Sequence, residues 1–80
     1  MDPLTVAPSY LEELMSRLTP RQMQIVELLA KGHSNRAVAS ILSISPETVK
    51  THMHKMYHKL EVENRIQVVV IYTVWKMNRK

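Results

Sequence analysis

Lys50, Thr51, His54, Lys55, His58 and Lys59 recur at the intervals of one, three and four residues that keep side chains on one side of a helix. Their chemistry is recognition of a polyanion rather than bond-making. A lysine here can donate to guanine O6 and N7, a threonine offers a hydroxyl and a methyl, and a histidine donates or accepts according to tautomer. His54 and His58 also have the i, i+4 spacing of a zinc pair, with His52 nearby. No cysteine or carboxylate completes a ligand set, so no metal and no other cofactor is expected. A nucleophile, a base and an orienting group cannot be assembled either: the serines sit at helix caps and the few carboxylates are scattered, so the chain does not read as an enzyme.

These side chains need a helix to hold them, and residues 45–60 supply one. Ser45 suits an N-cap, Pro46 suits the first helical position, and Ile44 with Val49 has the spacing of a hydrophobic staple. At about 100° per residue, Val49, Met53, Met56 and Leu60 fall within an arc of roughly 60°, which makes them the core stripe. Lys50, Thr51, His54, Lys55, His58 and Lys59 spread over roughly 180° on the other side, with no acidic residue among them.

The chain has 80 residues and a formal charge of +4, with 45% hydrophobic residues, one glycine, six methionines and neither cysteine nor phenylalanine. One small domain with an aliphatic, sulfur-rich core follows. Scarce glycine argues against barrels, sandwiches and phosphate-cradling loops. The absence of cysteine suits a reducing cytoplasm. Charge is uneven: residues 1–17 carry a net −2 and the remainder +6, which points to a phosphate-rich partner. No leader pattern of a basic and then an apolar segment is present, and the apolar run 66–75 is too short to span a bilayer, so no membrane partner is expected.

Along the rest of the chain, residues 1–9 read as a lead without chemistry, and residues 10–17 as about two turns of helix that Ser9 could cap. Thr19-Pro20-Arg21-Gln22 combines an N-cap, a first-turn proline and a capping-box glutamine, and Lys31-Gly32 ends that helix. Ser34 caps a short helix over 35–42, with Val38, Ala39, Ile41 and Leu42 expected to face inward. Only Ser43 and Ile44 separate it from the cap Ser45, so helix, tight turn and basic helix form a helix-turn-helix. Asn64 starts a last helix over 65–77 despite the β-branched run Val68-Val69-Val70-Ile71. Val68, Ile71, Tyr72 and Trp75 make one apolar stripe; Ile66, Val70, Thr73 and Met77, with Val69 at the edge, make a second that a small monomer cannot cover. The second stripe is expected to meet another copy of the chain.

Leu18-Thr19-Pro20-Arg21, Leu28-Leu29-Ala30-Lys31-Gly32-His33-Ser34-Asn35, Ile44-Ser45, Thr48-Val49-Lys50-Thr51-His52, and Lys59-Leu60 with Val62 and Arg65 resemble the LuxR/GerE-type helix-turn-helix over residues 18 to about 72. The resemblance implies an all-α, four-helix bundle-like domain over 18–80, after a linker or short extra helix in 1–17. It implies a bacterial transcription regulator in the cytoplasm that binds double-stranded DNA through helix 45–60 in the major groove and dimerises through helix 65–77. Lys50, Thr51 and His54 match base-reading positions. Asn35, Ser45, Thr48, Lys55 and Lys59 match phosphate-contacting ones, and His58 on the same face joins them. Ile66, Val69, Val70, Thr73 and Met77 are the expected dimer face. Gln22 and Gln24 stand where the family commonly has glutamate, and Ala37 stands where Ser-Asn-Lys is normally followed by Glu, which questions any carboxylate-to-base tie between the scaffold helices. A second likeness, to the promoter-reading region four of sigma factors, shares the Leu-Thr-Pro-Arg opening and the Thr-Val-Lys helix and would add RNA polymerase as a partner; the hydrophobic last helix argues against it. A helical adaptor that sequesters another regulator is the alternative from a different class, and the intact basic face argues against that.

Overall fold

Four side-chain caps divide the computed structural model, which describes residues 7–79, into its helices. Thr19 Oγ1 accepts from Gln22 N–H at 3.1 Å while Gln22 Oε1 accepts from Thr19 N–H at 3.0 Å, the reciprocal box that opens α2 (Pro20–Ala30). Ser34, Ser45 and Asn64 accept in the same way at the starts of α3 (Asn35–Leu42), α4 (Pro46–Leu60) and α5 (Arg65–Met77). Each such cap contributes about 1 kcal/mol. Among the described residues there is no strand: the β-branched run of α5 is helical because its apolar side chains are buried on helical spacing, which outweighs local propensity.

The first helix differs from the sequence expectation. α1 (Pro8–Ser16) begins two residues earlier, on Ala7, with proline at its start and no side-chain cap, so Ser9 lies inside the helix instead of capping it. Residues 1–6 of the expected lead lie outside the described residues. Leu11 and Leu14 are fully buried and Met15 nearly so, against Val68, Ile71 and Tyr72 of α5. At about 1.5–3 kcal/mol per buried side chain, these residues make α1 part of the core.

The second cluster joins Ile25 and Leu29 of α2, Val38 and Ala39 of α3, and Val49, Met53 and Met56 of α4. Ile41 does not join it, being 52% exposed, and Leu42 is only half-buried. On the helical wheel Ile41 lies about 60° from Val38, on the side opposite Leu42 and Ala39, and so at the border of the buried arc. Ser43 then enters the left-handed region at φ 57°, the role glycine often plays, and turns the chain into α4. Gly32 (φ 95°) does the same after α2, and Glu61 (φ 57°) after α4.

Candidate nucleic-acid interface

α4 buries Val49, Met53, Met56 and Leu60 and leaves Lys50, Thr51, His54, Lys55 and His58 exposed. The sorting follows from amphipathic spacing alone. Glu47 in the first turn and His58 and Lys59 in the last match the polarity of the helix dipole. The His54 ring stands edge-on to Tyr57, centroids 5.9 Å apart, which limits the directions its nitrogens can point. Half-buried His52 sits at the margin of the face. Burial, and then the positive charges of Lys55, Arg21 and Lys59, push its imidazole below the ordinary value.

The expected phosphate contacts divide into two groups. Lys55 and His58 are exposed and have no protein hydrogen bond among the described residues. The other four are bonded within the fold. Ser45 Oγ accepts from Thr48 N–H at 3.0 Å and lies 2.8 Å from Thr48 Oγ1, so both hydroxyls serve the cap of α4. Asn35 Oδ1 accepts from Arg65 at 3.3 Å, and Arg65 also donates to the His33 carbonyl, which ties the start of α5 to the start of α3 rather than bringing Asn35 to the α4 face. Lys59 Nζ donates to Gln22 Oε1 at 2.9 Å, leaving two of its three donors for another acceptor.

Two of these ties concern residues that sequence reasoning passed over or doubted. Gln22, 2% exposed, links α2 to α4 although it carries no charge, so the scaffold connection survives without a carboxylate. In the sequence Arg17 enters only through the net charge of residues 1–17; its guanidinium donates to the Lys59 carbonyl at 2.8 Å and pairs with Glu13 at 2.8 Å and Glu61 at 3.1 Å. The bonds to Glu13 and Glu61 favour its charged form. It thereby fastens the end of α1 to the end of α4. The i, i+4 spacing from Glu13 was a local signal for half of this arrangement, and nothing in the sequence indicated the rest.

On α5 Val68, Ile71 and Tyr72 of the first stripe are covered by α1 together with α2 and the end of α4. Trp75 is half-buried rather than internal: its Nε1–H donates to Glu12 at 2.8 Å, and Arg79 stacks over its ring at 4.6 Å while pairing with Glu12 at 3.1 Å. In the second stripe Ile66 and Met77 are each 73% exposed, Thr73 is exposed, and Val70 is half-buried; Val69 packs partly into the α2–α4 cluster. A groove of about 350 Å³ beside it is lined by Lys31, Tyr72, Thr73 and Met77 among others. Among the described residues no three acidic or histidine side chains could hold a metal ion, and no helix is long and apolar enough to cross a membrane.

Comparison with known proteins gives this geometry a family. Residues 16–72 match the family described as bacterial regulatory proteins, luxR family. Over 58 residues the chain is 48% identical to response regulator protein VraR of Staphylococcus aureus (strain NCTC 8325), with equal identity to the proteins of that name in Staphylococcus saprophyticus and Staphylococcus epidermidis. The match covers 72% of this chain and 28% of each relative, so it spans just over a quarter of the length of those proteins. With a family match over most of its length, the chain belongs to the luxR family of bacterial regulatory proteins and carries that family's DNA-binding helix-turn-helix.

Proposed function

We propose that the chain inserts α4 into the major groove of double-stranded DNA and reads base edges with Lys50, Thr51 and His54, as a transcription regulator in the bacterial cytoplasm. The observation that carries this reading is the exposed face of α4, from which those side chains project while buried Val49, Met53, Met56 and Leu60 fix the helix against the domain. Lys50 supports donation to guanine, Thr51 offers a hydroxyl and a methyl for thymine, and His54 reads according to its tautomer. Lys55 and His58 hold the backbone, with Lys59 contributing its spare donors; phosphate contacts of this kind set affinity and salt dependence more than sequence choice. Ser45, Thr48 and Asn35 contribute chiefly by fixing the starts of α4 and α3.

The second part of the proposal is a homodimer formed through α5. Ile66, Val70, Thr73 and Met77, with Val69 at the margin, form an apolar strip that α1 leaves open, and two copies related by a two-fold axis would bury it while presenting two α4 helices to two half-sites. Selection of bound duplexes from a random pool tests both parts. The expected product is a motif with two-fold symmetry, and discrimination between it and the unselected pool depends on Lys50. An asymmetric promoter element would favour contact with RNA polymerase in the sigma-like manner, and no enrichment would remove the DNA-reading role.

A further inference from the structure

Glu47 is the one acid of α4, and it stands among the cations. It is exposed, and among the described residues it makes no salt bridge. The cap of α4 is complete without it, since Ser45 Oγ accepts from Thr48 N–H at 3.0 Å. At about 100° per residue, Glu47 falls between Lys50 and Thr51 and about 20° from His54, so it projects from the middle of the face those residues form, one turn nearer the helix start. The helix dipole accounts for a carboxylate in the first turn. It does not account for this place on the wheel, because positions 46 and 48, about 100° to either side, would serve the dipole as well.

With α4 in the major groove, the middle of its face meets the groove floor. The phosphates repel a carboxylate there, and so do the acceptors of the floor, guanine O6 and N7, adenine N7 and thymine O4. Only the exocyclic amines donate. That of adenine lies beside the acceptor N7, whereas cytosine presents N4–H without an acceptor of its own, so cytosine is the base a carboxylate tolerates best. Three residues carry Glu47 about 4.5 Å along the helix axis from Lys50, more than one base-pair step of about 3.4 Å. We infer that Glu47 is a specificity-determining residue that accepts from cytosine N4 in the base pair beside the one Lys50 reads. On any other sequence its charge meets only acceptors, so the same side chain penalises wrong sites. This rests on the docking of α4 proposed above.

The test uses the full chain with two probes: the duplex enriched from a random pool, and the pool itself. Glu47→Ala is expected to bind the pool more tightly, because a repelling charge has gone, and the enriched duplex less tightly, because a base contact has gone. Discrimination between the probes should fall by at least about fivefold, the lower end for one base contact. A fresh selection with Glu47→Ala should lose the cytosine preference and keep the guanine that depends on Lys50. Glu47→Gln should admit adenine at the same position, since an amide can accept from N6 and donate to N7. The side chain is exposed, so Tm should fall by no more than about 8 °C, the loss of one dipole contact, and both variants are read as folded proteins. If Glu47→Ala tightens both probes by the same factor and selects an unchanged motif, Glu47 serves the dipole alone and the inference is overturned, while a base preference lost in Lys50→Ala leaves the docking of α4 standing. An unchanged motif in Lys50→Ala as well as Glu47→Ala would overturn the docking and the inference together.

Discussion

Replacing Leu14 by alanine tests whether α1 belongs to the folded domain. Leu14 has no exposed surface and lies in the cluster that includes Leu11, Val68 and Ile71. Three buried carbons at about 0.8 kcal/mol each amount to about 2.4 kcal/mol, and the cavity left behind raises the loss to about 3 kcal/mol. A chain of 80 residues has about 4–12 kcal/mol of stability in total, so the loss is between a quarter and three quarters of it. With an unfolding entropy of about 2.1 cal/mol/K per residue, Tm should fall by about 18 °C. Thermal unfolding followed by far-UV circular dichroism measures this. Scans at two protein concentrations separate lost packing from lost association, because only the latter makes Tm depend on concentration. Ile41→Ala is the internal control; that side chain is 52% exposed, and its removal should cost less than about 0.5 kcal/mol. A fall below about 5 °C in Leu14→Ala, equivalent to roughly 1 kcal/mol, would refute the view that α1 contributes to the core.

The remaining expectations concern binding, assembly and pH. Lys50→Ala should lower affinity for selected duplexes by about 1–3 kcal/mol and relax preference at one base, while equal loss on selected and random duplexes would assign Lys50 to the backbone. Ile66→Glu places a charge on the open strip of α5 where the side chain is 73% exposed, so the fold should persist while sedimentation shows monomers; an unchanged mass would move the dimer face elsewhere. His52 is held below its ordinary value of 6.5 in the folded chain by burial and then by Lys55, Arg21 and Lys59. Below that value the unfolded chain takes up a proton that the folded chain resists, so this contribution to stability is complete above the unfolded value and declines as pH falls beneath it. His52→Gln should flatten the acid side of the stability profile, and superimposable profiles would show that His52 contributes nothing to it.

Local signals made most of the helices legible. The capping box at Thr19 and Gln22, the serine caps and the apolar spacing of α4 all act within a few residues, so each could be read without knowing the fold. Where they failed, a distant partner had decided the outcome. Arg17 and Lys59 are 42 residues apart in sequence, Gln22 and Lys59 are 37 apart, and Arg65 and Asn35 are 30 apart. Ile41 shows the limit of helical spacing in a short helix: grouped with Val38, Ala39 and Leu42, it lies at the border of their arc, where packing leaves it 52% exposed. On α5 helical spacing alone separates buried Val68 and Ile71 from exposed Ile66 and Met77, but Val74, which belongs to neither stripe by that spacing, is half-buried against the first cluster through tertiary packing.

Ser43 has a consequence for binding that its place in the turn does not make obvious. A side chain at φ 57° costs about 1–2 kcal/mol relative to glycine, while glycine would add about 0.5–1 kcal/mol of chain entropy to be lost on folding, so the two choices differ little in stability. They differ in stiffness. Serine has fewer backbone conformations open to it than glycine at the elbow between α3 and α4, so in the complex proposed above α4 would arrive with its orientation more nearly selected and less orientational entropy would be lost.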